Sequence, residues 1–170
     1  IGPLSRLQKK LLPKKYDLLV ILSGPEPQRG MLEKHLKEEI VNYSGNAIFI
    51  EGNIEKEQKT TIIGNVTYYN FMNSTELEQA FNESEMVLCR SGYTTIMDLA
   101  QLRKKAFFIP TPGQYEQEYL AKKLKKEGLV PYATQDDFRM ENILEIEEYK
   151  GLPRLDSKIE WANLFQVFQK

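Results

Sequence analysis

The stretch Cys89-Arg90-Ser91-Gly92-Tyr93-Thr94-Thr95-Ile96-Met97-Asp98 gathers groups that can grip a phosphate and a diol. An apolar run, Met86-Val87-Leu88, ends in it, and a helix pattern begins within three residues. The first amides of a helix lack partners inside the helix, and its dipole favours negative charge there. Gly92 lets a ligand come close to the backbone, while Ser91, Thr94 and Thr95 place hydroxyls beside those amides. Asp98 follows one turn later, where a carboxylate can accept from a ribose diol. The same residues also fit a plain capping turn with a surface Asp. Arg90 fits either a phosphate ligand or a surface ion pair.

Two further turns have related chemistry. Pro110-Thr111-Pro112-Gly113-Gln114-Tyr115-Glu116-Gln117-Glu118 follows another apolar run and opens another helix pattern. Amide and carboxylate side chains such as Gln114, Gln117 and Glu118 match the donors and acceptors of sugar hydroxyls. A solvated helix start is the plainer alternative. Ser23-Gly24-Pro25-Glu26-Pro27-Gln28-Arg29-Gly30 could cradle a diphosphate with backbone amides, with Arg29 pairing its charge. Its two prolines remove amide donors, and it carries neither a Gly-Lys-Ser/Thr ending nor G-x-G-x-x-G. A rigid turn that starts a helix is the other reading.

Metal and nucleophile chemistry find little support. His35 is the only histidine and Cys89 the only cysteine, so these residues cannot form a zinc set or a Cys-His pair. His35 sits among charges in a helical stretch and reads as a surface residue. No disulfide can form within the chain, which favours a reducing, cytosolic setting. Net charge is −1, with 41% hydrophobic and 28% charged residues, an ordinary globular balance that does not point to nucleic acid. Lys9, Lys10, Lys14 and Lys15 form one basic run. It reads as a solvated surface or as a contact for anionic lipid or a phosphate-bearing ligand. No apolar span is long enough to cross a membrane.

Alternating short and long patterns must position these turns. Strands are expected at 17–22, 47–50, 85–89, 106–109 and 129–132, and a broken or hairpin-like strand at 61–69 about Gly64-Asn65. Helices are expected over 28–42, from an Asn73-Ser74 cap through Phe81, over 93–102, from the Pro112-Gly113 loop to a cap at Gly128, and near 142–148. A last helix over 155–169 carries Trp161 and Phe168. This order predicts an α/β fold: a Rossmann-like, doubly wound parallel sheet in one three-layer domain. Ligands of such sheets bind beyond the carboxyl ends of the strands, at the switch point.

Together the three turns resemble the C-terminal, donor-binding domain of GT-B glycosyltransferases, and most closely the family of MurG. The likeness is densest over VLCRSGYTTIMDLAQLRKKAFFIPTPGQYEQEYLAKKL, residues 87–124. It implies that Asp98 binds the ribose of UDP, and that Ser91, Gly92, Thr94 and Thr95 face the nucleotide. Phe71 and Met72 would lie where backbone groups read uracil. Arg6, Ser23, Gly24 and Arg29 would serve the diphosphate, although Pro25-Glu26-Pro27 departs from the family's glycine-rich pattern. Gln117, Glu118 and Gln114 would face the donor sugar, with Glu118 standing where a second Gln is usual.

The resemblance divides the chain into an interdomain linker and lead-in (1–16), a nucleotide-sugar-binding domain (17–154) and a closing helix (155–170). It implies no cofactor, a UDP-sugar donor, and metal-independent hexosyl transfer that inverts on the family's pattern. The acceptor site and catalytic base would belong to an N-terminal domain absent from this chain. A start without Met favours a cut piece, which would bind nucleotide and transfer sugar poorly or not at all. Peripheral association with the inner face of a membrane stays open for the full protein. A nucleotide-sugar hydrolase or epimerase of the same architecture, or a non-catalytic binding subunit, would share these loops.

Overall fold

The computed structural model describes residues 5, 7–54 and 57–153. The expected helix over 155–170 and Arg6 lie outside the described residues. Six strands form one sheet: β1 (Tyr16–Ile21), β2 (Ala47–Ile50), β3 (Thr60–Ile63), β4 (Val66–Tyr69), β5 (Ser84–Cys89) and β6 (Lys105–Phe108). Their spatial order is β3-β4-β2-β1-β5-β6, and every pairing is parallel except that of β3 with β4. Gly64, with φ +60°, turns β3 into β4, so the broken strand is an antiparallel edge hairpin.

Strand alternation divides the core between two faces. Leu18 and Val20 of β1 point to one side with Phe49 and Phe107, under Leu32 and Leu36 of α1 (Gln28–Glu39) and the 3-10 segment Met140–Glu148. Leu19, Ile48, Val87 and Phe108 point to the other side. There they meet α2 (Ser74–Glu83), α3 (Tyr93–Leu102) and α4 (Tyr115–Lys126). The domain is therefore a three-layer, doubly wound α/β fold.

Local signals account for the element ends. The Asn73 side chain accepts from the amides of Thr75 and Glu76, and Glu76 reaches back to the Asn73 amide, a full capping box. Gly128, with φ +68°, closes α4 as expected. In the first helix, Leu32, Leu36 and Ile40 recur every four residues and are buried. Met31 and Val41, counted with that stripe from spacing alone, fall to its flanks and are exposed. The strand expected at 129–132 shrinks to a single bridge between Phe108 and Tyr132. Pro131 within it has no N–H to extend a ladder.

The basic run is a solvated surface, as expected, its four lysines all exposed, but it is not a free cationic patch, since Lys10, Lys14 and Lys15 have partners. Residues 7–15 lie against α2. The Lys10 amide donates to Asn82 Oδ1 (2.8 Å) and Asn82 Nδ2 donates to the Gln8 carbonyl (2.9 Å). Lys10 pairs with Glu78 and Lys15 with Glu83. Lys14 Nζ donates to the carbonyls of Asn82 and Ser84, at 2.8 and 2.9 Å.

Lys104 Nζ is buried and donates to the same Ser84 carbonyl at 2.6 Å. Burial, and then the neighbouring Lys14, push its pKa from 10.5 down to about 7. In the unfolded chain the ammonium keeps its proton up to the ordinary lysine value, so between about pH 7 and about pH 10 the unfolded state binds more protons. Stability contributed at this site therefore rises with pH across that window, and the cost of a buried charge is fully present below it. Wild-type melting temperature should climb from neutral to mildly alkaline pH relative to Lys104→Met. Parallel melting-temperature profiles for the two proteins would contradict this assignment.

Candidate functional site

β1 lies at the switch point: the chain leaves it toward β2 on one side, and β5 lies on the other. The loops after β1, β5 and β6 thus converge at the carboxyl edge, which is where such sheets open a crevice. The three turns singled out from sequence are these loops. An ideal Cβ on Gly24 would stand 3.6 Å from Thr111 Oγ1, which brings the first loop against the third. Gly24 has φ +107°, a region that side chains rarely enter.

At the start of α3, Gly92 occupies the N-cap position, so, as at the starts of α1 and α4, no N-cap side chain caps the first amides. The contrast with the fully capped α2 is a difference of chemistry: α3 presents donors that α2 has already used. Gly92 has an ordinary φ of −71°, and a Cβ there would meet only Thr95 Oγ1, at 3.9 Å. Neither backbone strain nor packing within the protein calls for glycine at this position. Thr94 is exposed and Thr95 half-buried, both in the first turn. Tyr93 is exposed beside them.

Asp98 lies one turn deeper and lines a cleft of ≈ 220 Å³ with Thr94, Leu7, Leu77 and the first residues of α2, Ser74 and Thr75. The residue is half-buried and already has a partner within the chain. The α2 and Leu7 walls were not found from sequence. The Asn73 cap announced where α2 begins, but nothing local announced that its first turn would face Asp98.

Several side chains expected to meet a ligand directly are occupied within the protein. Ser91 is buried, and its hydroxyl donates to the Gln117 carbonyl at 2.8 Å, tying α3 to α4. Gln117 Oε1 accepts from the Thr111 amide (2.9 Å), while its Nε2 donates to Gln114 Oε1. Glu118 Oε1 accepts from the Gly113 amide (2.9 Å). These two side chains therefore brace the loop before α4. Arg29 is held by Glu26 and Glu33 and donates to the Glu51 carbonyl at 2.8 Å. With two carboxylates on it, its charge is not held in reserve for a diphosphate.

The Phe71 amide donates to Asn70 Oδ1 (3.0 Å) and is spent, while its carbonyl accepts from Gln58 Nε2 (2.9 Å) and keeps a second lone pair. Met72 packs against the core on the α2 side. Ser23 is exposed on the loop after β1. His35, read as a surface residue, is half-buried; its Nε2 lies 2.9 Å from the Phe138 carbonyl, a structural contact.

The largest correction concerns Arg90, which is neither a surface ion pair nor exposed to a ligand. It is 1% exposed. It donates to the carbonyls of Ile109 (3.1 Å), Pro110 (3.0 Å) and Gln28 (3.1 Å), and to Gln135 Oε1 (2.7 Å). Burial lowers its pKa to about 10. Cys89, just before it, is buried, and the same desolvation raises its thiol pKa. That setting disfavours a thiolate nucleophile. Among the described residues no helix is long and apolar enough to cross a membrane.

Comparison with known proteins agrees with this fold. The model of the glycosyltransferase family 28 C-terminal domain matches residues 9–148. The UDP-N-acetylglucosamine--N-acetylmuramyl-(pentapeptide) pyrophosphoryl-undecaprenol N-acetylglucosamine transferase of Haemophilus ducreyi is 28% identical over 153 residues, covering 86% of this chain and 42% of that protein. The crystal structure of MurG from Acinetobacter baumannii superposes with a TM-score of 0.62 at 15% identity, over 91% of this chain and 50% of that one. The solution structure of ALG13 gives a TM-score of 0.57 at 14% identity, over 91% of this chain and 96% of that one. The chain spans less than half the length of the curated relatives it matches. It belongs to the glycosyltransferase family 28 C-terminal domain family.

Proposed function

We propose that this chain is the donor-binding part of a glycosyltransferase and holds a nucleoside diphosphate sugar, UDP-linked, in the crevice between the loops after β1 and β5. The observation that carries this reading is the start of α3. Its first amides have no side-chain cap, and its N-cap glycine is required by neither its φ nor its neighbours. Open amides and a helix dipole suit a diphosphate, and an absent Cβ leaves room for it. Asp98 would take the ribose hydroxyls from the adjoining cleft. Gln117 and Glu118, which brace the third loop, would set the edge that the sugar meets. These donors would stabilise negative charge building on the departing diphosphate. The acceptor and the catalytic base would come from a separate N-terminal domain. The whole enzyme would act in the cytoplasm, at the inner face of a membrane where its acceptor is lipid-linked.

Calorimetric titration with UDP, uridine and inorganic diphosphate is the direct test. Saturable binding of UDP, tighter than either fragment, is expected. Absence of binding to any nucleoside diphosphate would overturn the proposal. Gly92→Ala should fold with wild-type stability yet lose about tenfold in UDP affinity, because the methyl group occupies ligand space and not protein space. Unchanged affinity in a folded Gly92→Ala protein would place the diphosphate elsewhere.

A second reading, a donor-binding subunit that is a chain of its own, is favoured by the ALG13 structure, matched over 96% of its length. The mass of the native polypeptide decides between the two.

A further inference from the structure

Arg90 heads the largest fully buried side chains among the described residues. All four of its hydrogen-bond acceptors are neutral oxygens, and no carboxylate among the described residues pairs with its charge. They belong to three segments. Ile109 and Pro110 lead into the loop after β6, Gln28 begins α1 just past the loop after β1, and Gln135 lies beyond α4. Arg90 itself opens the loop after β5. One planar fork thus stitches together all three crevice loops, a task for which a point-charge ammonium has the wrong geometry.

Two buried side-chain polar atoms have no hydrogen-bond partner among the described residues: Arg90 Nε, in the fork itself, and Thr111 Oγ1, in the loop after β6. Native proteins keep few such atoms, and keeping them with an unpaired buried cation runs against stability. A function at the crevice accounts for keeping them. A charge in low-dielectric surroundings is felt at longer range than one in water. An anion arriving between the loops after β1 and β5 would supply the missing negative charge.

We infer that Arg90 is a positioning residue for the diphosphate: it fixes the three loops and supplies positive potential from beneath, without touching the ligand. This rests on the nucleoside-diphosphate reading given above. It extends that reading by separating the source of the potential from the amides that make contact.

The test compares UDP with uridine, which lacks the charge, on wild type, Arg90→Met and Arg90→Lys, with melting curves for each. Arg90→Met should weaken UDP by about tenfold or more while uridine changes by less than about twofold. Arg90→Lys, which keeps the charge and loses the fork, should recover most of that UDP affinity. The UDP loss in Arg90→Met should persist at high salt, because salt screens a buried charge poorly. Equal weakening of both ligands would reduce Arg90 to a purely structural role and overturn the inference, as would unchanged UDP binding. If Arg90→Met does not fold, Arg90→Gln, which also removes the charge and keeps polar contacts, carries the test: UDP and uridine weakened equally there would overturn the inference. Failure of wild type to bind UDP at all would instead remove the underlying reading.

Discussion

Asp98→Ala is expected to raise the Kd for UDP by about 10- to 100-fold. A charge-assisted hydrogen bond contributes roughly 1.5–3 kcal/mol, which corresponds to that range. Asp98 is half-buried in a cleft whose other walls are Thr94, Leu7, Glu78 and the first turn of α2. It is partly shielded from water, so its bonds to a diol would count for more than on an open surface. Asp98→Asn keeps the acceptor oxygen and loses the charge, and should fall between wild type and Ala. The specific control is 2′-deoxy-UDP, which removes one ribose hydroxyl. It should bind wild type more weakly than UDP does, and the difference should shrink in Asp98→Ala. This is a cycle that isolates the pair. If Asp98→Ala weakens both ligands by the same factor, Asp98 does not contact that hydroxyl.

The largest effect on stability should come from Phe107→Ala. Phe107 is fully buried on β6, and its ring packs edge-on against Phe138 with centroids 5.5 Å apart. It belongs to the face shared by Leu36, Phe49 and Ile143. Removing it should cost about 3–5 kcal/mol, from lost burial and from a cavity that rigid strands cannot close. For a chain of this size that corresponds to a fall in melting temperature of roughly 10 °C. The ring lies on the α1 face of the sheet, whereas α3 and α4 cover the other. UDP affinity measured well below the melting point should therefore stay near wild type. A large loss of affinity in the folded variant would mean that the loop after β6 is held by the core more than by Gln117, Glu118 and Arg90.

The two variants together separate scaffold from site. Phe107 belongs to the buried core, whereas Asp98 lines the cleft. Ser91 and Gln117 fall between them. The Ser91 hydroxyl on the Gln117 carbonyl, and the Gln117 amide oxygen on the Thr111 amide, link α3 to the loop before α4. A site made of loops at strand tips needs such links to be held in place.

The sequence by itself determined the elements and their order. Hydrophobic runs located β1, β2, β5 and β6 to within a residue or two, because an apolar stretch bounded by Gly, Pro or Asn has few other folds. Asn73 and Gly128 set helix ends through bonds to amides and carbonyls a few residues away. The three loops could be singled out for the same reason: what makes them unusual is written within ten residues of each. Tertiary structure alone decided which groups remain available. Arg90 meets Gln28 across 62 positions and Gln135 across 45, and Leu7 faces Asp98 from the far end of the domain's chain. Such partners depend on strand order and on how loops pack after the sheet closes, and neither leaves a local trace. The burial of Arg90, the occupation of Ser91 and Arg29, and the open amides of α3 are consequences of that packing, since a donor is free or spent only with respect to what the fold brings beside it.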